Sequence, residues 1–215
     1  MPTLVIAASL ALQVAAMDDP AQRHQACLAL IGENAETAYE EALAWRHQGG
    51  GWPSEHCVSL ALIAVGQAEA GSARLRAAAE GAISATDMSR AIMFGQAGDG
   101  FLQAEAPAEA LDAFQRGLDF APDNPGLMRG VAEAALVLDD PATAETAAGD
   151  ALDAAQADGA RAEALRLRAQ ARLALSALDA ARADVEAARG YAPENIDILL
   201  LRGRINEAIR RQQPG

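Results

Sequence analysis

The stretch AIMFGQAGDGFLQAEAPAEALDAFQRGLDFAPDN, residues 91–124, decides the fold. Its first half places bulky and small residues at i, i+3, i+4 and i+7, on one face of a helix: Phe94, Ala97, Gly98 and Phe101. Its second half places Ala110, Phe114 and Gly117 on one face of a second helix. The spacing predicts two helices joined by a tight turn near residues 104–107, with small residues where the backbones approach.

Two prolines delimit the second helix of this stretch. Pro107 suits the first turn of a helix, where its missing N–H is not needed, and Pro122 cannot continue the helix. One such hairpin cannot bury both of its faces alone, so it must stack on neighbours.

The neighbours follow in the same frame, with a three-residue slip at residues 159–161. The matching positions after residue 125 are Met128, Val131, Ala132, Ala135, Ala144, Ala148 and Ala151. Those after the slip are Leu165, Ala169, Ala181, Val185 and Ala188. The five residues YAPEN at 191–195 also repeat the turn FAPDN at 120–124. We therefore expect several stacked hairpins.

This pattern resembles the tetratricopeptide repeat (TPR) over roughly Ala91–Asn195, with a weaker likeness back to Pro20. The resemblance implies an all-α, TPR-type solenoid, a right-handed superhelix of helical hairpins closed by a C-terminal capping helix. Arg168 and Arg172 stand where the family usually has apolar residues, so the register of that repeat stays open.

The resemblance also implies a concave groove, lined by the first helix of each hairpin, that binds a peptide or protein segment. The groove positions in this frame are Asp99, Leu102, Arg129, Glu133, Arg166, Gln170 and Arg204. Some family members hold a C-terminal carboxylate with lysine and asparagine. This chain has no lysine and lacks those asparagines, and Glu133 can neutralise Arg129 one turn away. An ordinary solvated or self-paired groove is therefore favoured over a carboxylate clamp.

Composition excludes several functions. The net charge of −13 disfavours binding to nucleic-acid phosphates. All 17 basic residues are arginine, which removes Schiff-base chemistry and a P-loop lysine. We find no catalytic motif at a recognisable spacing, and predict neither an enzyme nor a cofactor.

The N-terminal segment Met1–Ala16 has a short apolar run that ends in small residues, as a cleaved signal peptide does. It is short for a membrane span. Its lack of lysine and arginine argues against export, and the alternative is a retained helix that packs on the first repeat. We expect a periplasmic or exported protein, or a cytoplasmic one if residues 1–16 are retained.

Cys27 and Cys57 lie 30 positions apart, close to one repeat, so stacking sets their helices side by side. In an oxidising compartment a disulfide is expected, and the alternative is two buried thiols. A zinc site would add one histidine, His24 or His56, to the two cysteines, but no fourth ligand is evident, the spacing matches no zinc motif, and no metal is predicted.

The predicted domains are degenerate N-terminal repeats over 17–85, core repeats over 86–195, and a capping helix with a tail over 196–215. Within the N-terminal repeats, Ser54 is expected to cap one helix and Gly71 to begin the next. In the capping helix, the packing face is Ile198, Leu201, Ile205 and Ile209. Leu199 and Leu200 point elsewhere.

The sequence therefore favours a non-enzymatic scaffold of the cell envelope with a protein or peptide partner. The alternative is an oligomeric structural subunit that assembles through the C-terminal helix. A third hypothesis, a small metal- or thiol-dependent enzyme at Cys27 and Cys57, has the least support.

Overall fold

The computed structural model describes residues 19–212, so the predicted signal peptide and the last three residues lie outside its description. Within this range the chain forms eleven α-helices and no strand. They are α1 Pro20–Glu33, α2 Ala35–His47, α3 Gly51–Ala64, α4 Ala68–Gly81, α5 Asp87–Gln103, α6 Pro107–Leu118, α7 Pro125–Val137, α8 Pro141–Ala154, α9 Asp158–Ala174, α10 Leu178–Tyr191 and α11 Ile196–Gln212.

The helices fall into two compact units, Met1–Ala106 and Pro107–Gly215. Helices α1–α5 belong to the first unit and α6–α11 to the second. Within each unit, every pair of consecutive helices is in contact. The all-α fold built from helical hairpins is thus confirmed. Among the described helices, none has both the length and the apolar content needed to cross a bilayer.

The same compact turn ends the four first helices α3, α5, α7 and α9, and it recurs at the end of α2, where Gly49 has a φ of +86°. Its central residue has a positive φ, +86° at Gly66, +57° at Glu105, +58° at Asp139 and +60° at Ser176. After each of these residues the next N–H donates to the carbonyl five residues earlier, as Asp140 does to Ala135 at 2.9 Å. This satisfies carbonyls that the end of a helix leaves without partners. The turn therefore reverses the chain in the hairpins α3–α4, α7–α8 and α9–α10.

Two predicted helix starts are wrong. Helix α3 begins at Gly51, so Ser54 does not cap it but lies inside its first turn. There the Ser54 hydroxyl donates to the Gly51 carbonyl at 2.8 Å. Helix α4 begins at Ala68, and Gly71 lies within it. A Cβ at Gly71 would come within 2.7 Å of the Ser59 carbonyl oxygen, so this glycine allows α3 and α4 to approach closely.

The last repeat of the second unit follows the predicted frame. Its core consists of Ala162, Leu165, Ala169, Ala181, Val185, Ala188, Ile198, Leu201 and Ile205, all buried. Ile209 packs against this cluster, so the predicted packing face of α11 is confirmed. Elsewhere in the unit, a Cβ at Gly130 would lie 2.6 Å from Cζ of the buried Phe114 ring. This is a close packing that only glycine permits.

A disulfide lies in the core of the first unit. The sulfur atoms of Cys27 in α1 and Cys57 in α3 are at bonding distance, with their Cα atoms 6.3 Å apart. Both cysteines are buried in a cluster with Ala42, Val58 and Leu62. The bridge that the sequence favours over two free thiols is therefore the one present, and it joins the first helices of two successive hairpins.

Candidate functional site

Three first helices lie side by side in the second unit, since α9 contacts both α7 and α11. Five of the predicted groove residues lie on them, and we call this surface the α7–α9–α11 face: Arg129, Glu133, Arg166, Gln170 and Arg204. Asp99 and Leu102 lie on α5 in the first unit, so the structure groups only five of the seven predicted residues within one unit.

Two of the three arginines of the α7–α9–α11 face, Arg129 and Arg166, are paired with carboxylates of their own helices. Arg129 Nη1 donates to Glu133 Oε1 at 2.9 Å. Arg166 Nε donates to both oxygens of Glu163 at 3.0 and 2.9 Å, and its Nη1 donates to Gln170 Oε1 at 3.2 Å. The self-pairing that the sequence favoured is therefore present at Arg129 and Arg166. Arg204 is exposed and has no ion pair within residues 19–212.

Partial burial gives these charges more weight than ordinary surface pairs have. Burial raises the pKa of the Glu133 carboxyl, while Arg129 opposes that shift and Glu163 adds to it. The hydrogen bonds that Arg166 donates to Glu163 raise the pKa of Arg166. Positive and negative groups therefore alternate across α7 and α9, and the face offers both hydrogen-bond donors and acceptors.

The first unit carries a polar line that the sequence did not predict. His24 of α1 lies 2.8 Å from His56 of α3, from Nε2 to Nδ1, and His56 Nε2 lies 2.7 Å from Gln96 Oε1 of α5. Because the amide oxygen only accepts, His56 Nε2 must donate to it, so His56 Nδ1 accepts from His24. Counting back from the positive-φ turn residue that ends each first helix, a count we call the turn register, could have identified part of this line. His56 precedes Gly66 by ten residues, as Arg129 precedes Asp139, so the two occupy equivalent positions.

Both rings of this line are neutral at pH 7. Burial, followed by the neighbouring His56, lowers the pKa of His24 to about 4. Burial also lowers the pKa of His56, although its hydrogen bond to Gln96 opposes the shift. Trp52 packs against His24 edge-on, with ring centroids 5.6 Å apart. The line therefore joins three first helices without a charge.

A zinc site at this place would need both cysteine thiolates, and these sulfurs are bonded to each other. Within residues 19–212, no group of three or more histidine, cysteine or acidic side chains is arranged to hold a metal ion.

An ion network explains the two arginines that left the register open. Arg168 of α9 donates to both oxygens of Asp184 of α10 at 2.8 Å. Arg172 donates to Asp184 at 2.7 Å and to Glu145 of α8 at 2.7 Å. Asp184 is only 5% exposed, and its hydrogen bonds raise the pKa of Arg168. The arginines are therefore neutralised inside the helix packing, and the predicted frame continues through them.

Solved structures resemble this chain over most of its length or over part of its hairpins. The first TPR domain of human RPAP3 is 27% identical, with 56% of this chain and 93% of that chain covered and a TM-score of 0.52. The first TPR of Spaghetti (RPAP3), bound to the HSP90 peptide SRMEEVD, is 26% identical, with 58% and 97% covered and a TM-score of 0.54. A TPR protein of Cytophaga hutchinsonii is 15% identical, with 92% and 77% covered and a TM-score of 0.67.

No family model and no curated protein matches the sequence. The repeated turn and the consecutive helix contacts define a helical-hairpin repeat protein. Within that class it has the tetratricopeptide-repeat fold, which the solved structures share and which the residue pattern of 91–195 predicted.

Proposed function

We propose that this protein is a non-enzymatic scaffold that binds a segment of a partner protein on the α7–α9–α11 face. The observation that carries the proposal is the register of this face. Arg129 and Arg166 precede their left-handed turn residues by the same ten positions and lie on first helices. Each is partly buried and held in one geometry by a carboxylate. Such preorganised groups lose little entropy when a ligand binds.

The charges suggest what kind of segment the face accepts. Because Arg129 and Arg166 are already paired with glutamates, the face suits the backbone and mixed side chains of an internal segment. A free C-terminal carboxylate would have to displace Glu133 or Glu163. The TPR of Spaghetti bound to an HSP90 peptide supports peptide binding by a related fold.

Affinity capture with matched variants tests this proposal. Arg166 and Arg182 each make an ion pair with a carboxylate three residues earlier, but Arg182 lies on α10, outside the α7–α9–α11 face. We expect Arg166→Glu to lose the partner that the natural protein captures, and Arg182→Glu to retain it. If both variants capture the partner equally, the partner does not bind on the α7–α9–α11 face.

Export to the periplasm is the second part of the proposal. It is supported by the signal-like segment over residues 1–16 and by the Cys27–Cys57 bridge, since structural disulfides persist in oxidising compartments. The mass of the native protein tests it: we expect an N-terminus at Met17. A chain that still begins at Met1 or Pro2 would contradict export by cleavage.

Assembly through α11 is a second candidate function, and one observation favours it. Ile196, Leu199 and Leu200 are 71%, 42% and 63% exposed along one side of this helix. If α11 joins subunits of an envelope complex, the natural protein elutes as an oligomer and Leu200→Glu elutes as a monomer. A natural protein that is already monomeric would exclude self-assembly.

A further inference from the structure

A pocket of about 600 Å³ opens in the second unit between α6, α7 and α8. We call it the α6–α8 pocket. Its apolar lining includes Leu118 of α6, Met128 and Val131 of α7, and Ala147 of α8. Thr146 and Asp150 of α8 bring a hydroxyl and a carboxylate to it. Its volume lies in the range of ligand-binding pockets, roughly 300–1,000 Å³. None of these residues belongs to the α7–α9–α11 face.

In the next repeat, the positions equivalent to two of the pocket-lining residues are occupied by an ion pair. Val131 precedes Asp139 by eight residues and Ala147 follows it by eight. In the next repeat Arg168 and Asp184 occupy those two positions around Ser176. There the two side chains form a bidentate ion pair, with both bonds at 2.8 Å.

In the first unit only the second of these two positions is charged, because the residue eight before Gly66 is the buried Val58. Arg74 follows Gly66 by eight residues, and both its Nε and its Nη2 lie 2.9 Å from Glu55 Oε2. Arg46 of α2 bonds the other oxygen of Glu55. The pocket that remains beside them, about 440 Å³, is lined by these three charged side chains and by Trp52. At the two register positions the α6–α8 pocket has the apolar residues Val131 and Ala147.

The surroundings of the α6–α8 pocket are strongly acidic. Between residues 107 and 154 there are ten acidic residues and two arginines, a balance of −8. Asp150 is exposed at the pocket and has no ion pair within the described part of the chain. An apolar recess with an unpaired carboxylate beside it matches a ligand that combines a bulky apolar group with a positive charge.

We propose that the α6–α8 pocket is a second interaction site, which takes bulky apolar side chains of a basic amphipathic helix in a partner protein. The apolar anchors enter between α6 and α8, and an arginine or lysine one turn away meets Asp150. Helices that use this mode present anchors at i, i+3, i+4 and i+7. The site is independent of the α7–α9–α11 face, so one scaffold can hold two segments at once.

A synthetic peptide of defined sequence tests this site directly. The probe is an acetylated, amidated, fluorescein-labelled peptide of about fourteen residues, with leucine at the anchor positions and arginine on the other face. Its control peptides carry glutamate for arginine, or serine for leucine. The capped ends exclude recognition of a terminal carboxylate. Fluorescence anisotropy with the full mature protein measures binding at fixed salt.

The sharpest variant transfers the neighbouring repeat's ion pair into the pocket. We expect Val131→Arg with Ala147→Asp to weaken binding of the leucine–arginine peptide at least about tenfold, because the new side chains occupy the anchor space. A circular dichroism melt checks that this variant is folded. A folded variant that binds as tightly as the natural protein would overturn the proposal.

A gentler pair of variants keeps the test valid if the double variant does not fold. Asp150 and Asp153 are both exposed acids of α8, but only Asp150 lines the pocket. We expect Asp150→Asn to weaken binding about two- to fivefold, as for an exposed ion pair, and Asp153→Asn to have no effect. Equal effects of the two changes, equal binding of the glutamate peptide, or binding lost only in Arg166→Glu would each overturn the proposal.

Discussion

Both units contain interhelical ion pairs, Glu55 with Arg46 and Arg74 in the first and Asp184 with Arg168 and Arg172 in the second, but they differ in what else joins their helices. In the first unit, a disulfide joins α1 to α3, and an uncharged His24–His56–Gln96 line continues to α5. In the second unit the described links are ionic, and they tie the first helix α9 to the second helices α8 and α10 through Arg172 and Asp184. Helical hairpins of the same repeat can therefore be joined by a disulfide and neutral hydrogen bonds or by ion pairs. The two units should accordingly respond to different perturbations.

Both tryptophans, Trp45 and Trp52, lie in the first unit, which allows the comparison to be measured. Tryptophan fluorescence reports the unfolding of that unit alone, while circular dichroism reports both. The difference between these two signals therefore separates the stability of the first unit from that of the second.

The largest effect is expected at Asp184. Replacing it with alanine leaves Arg168 and Arg172 without their shared carboxylate, and breaking a buried ion pair costs about 3–5 kcal/mol of unfolding free energy. Denaturant unfolding followed by circular dichroism measures this loss in the second unit. Asp179→Ala is the control, because its pair with Arg182 is exposed and should contribute less than about 0.5 kcal/mol. A loss of unfolding free energy below about 1 kcal/mol for Asp184→Ala would show that the ion pairs of Asp184 do not hold the helices of the second unit together.

A smaller effect is expected when the disulfide is removed. Changing Cys27 and Cys57 together to alanine opens a loop of 30 residues and should destabilise the first unit by about 3 kcal/mol. The fluorescence transition should shift, and reductant should shift the natural protein in the same direction. The Asp184→Ala variant should lose further stability on reduction by the same amount. If reductant does not shift the fluorescence transition, the disulfide does not stabilise the first unit.

The smallest effect is a loss of stability in acid. The folded pKa of His24, about 4, lies below its ordinary value of 6.5, so the unfolded chain binds the proton more readily. The contribution of neutral His24 is complete above pH 6.5 and declines as the pH falls towards 4.

We expect the first unit of the natural protein to lose about 1–2 kcal/mol more than His24→Gln between about pH 7 and pH 4.5, after a discount for the partial exposure of the ring. Glutamine keeps an N–H donor for His56 but does not titrate. His47→Gln is the control, because His47 is exposed on α2. Identical acid profiles for the natural protein and His24→Gln would exclude the neutral line.

The sequence predicted the fold because small and large side chains recur at equivalent positions of successive repeats. Ala169, Ala181 and Ala188 follow their counterparts in the preceding repeat by 37 residues each, and all of these alanines are buried as expected: Ala132, Ala144, Ala151, Ala169, Ala181 and Ala188. The compact turns were not visible in this way. Glu105, Asp139 and Ser176 adopt a positive φ that is usually marked by glycine, so no residue type announced them. Once they are known, their spacings of 34 and 37 residues recover the three-residue slip directly.

The candidate site could be predicted only in part. Position along the helix placed Arg129 and Arg166 on first helices and indicated the Arg129–Glu133 pair, but not the Arg166–Glu163 pair, which depends on rotamers. The Asp184 network was missed because its members lie on three helices, 12 to 39 residues apart. Contacts of that kind follow from packing, and no local pattern in the sequence records them.

The most direct test of the scaffold function is site-specific photo-crosslinking in the native cell. A photoreactive residue is placed at position 166 on the α7–α9–α11 face, and in a second strain at position 182 on α10. We predict one discrete adduct with a partner protein from position 166 and none from position 182. Adducts that are absent at 166, or equal at the two positions, would contradict binding on this face.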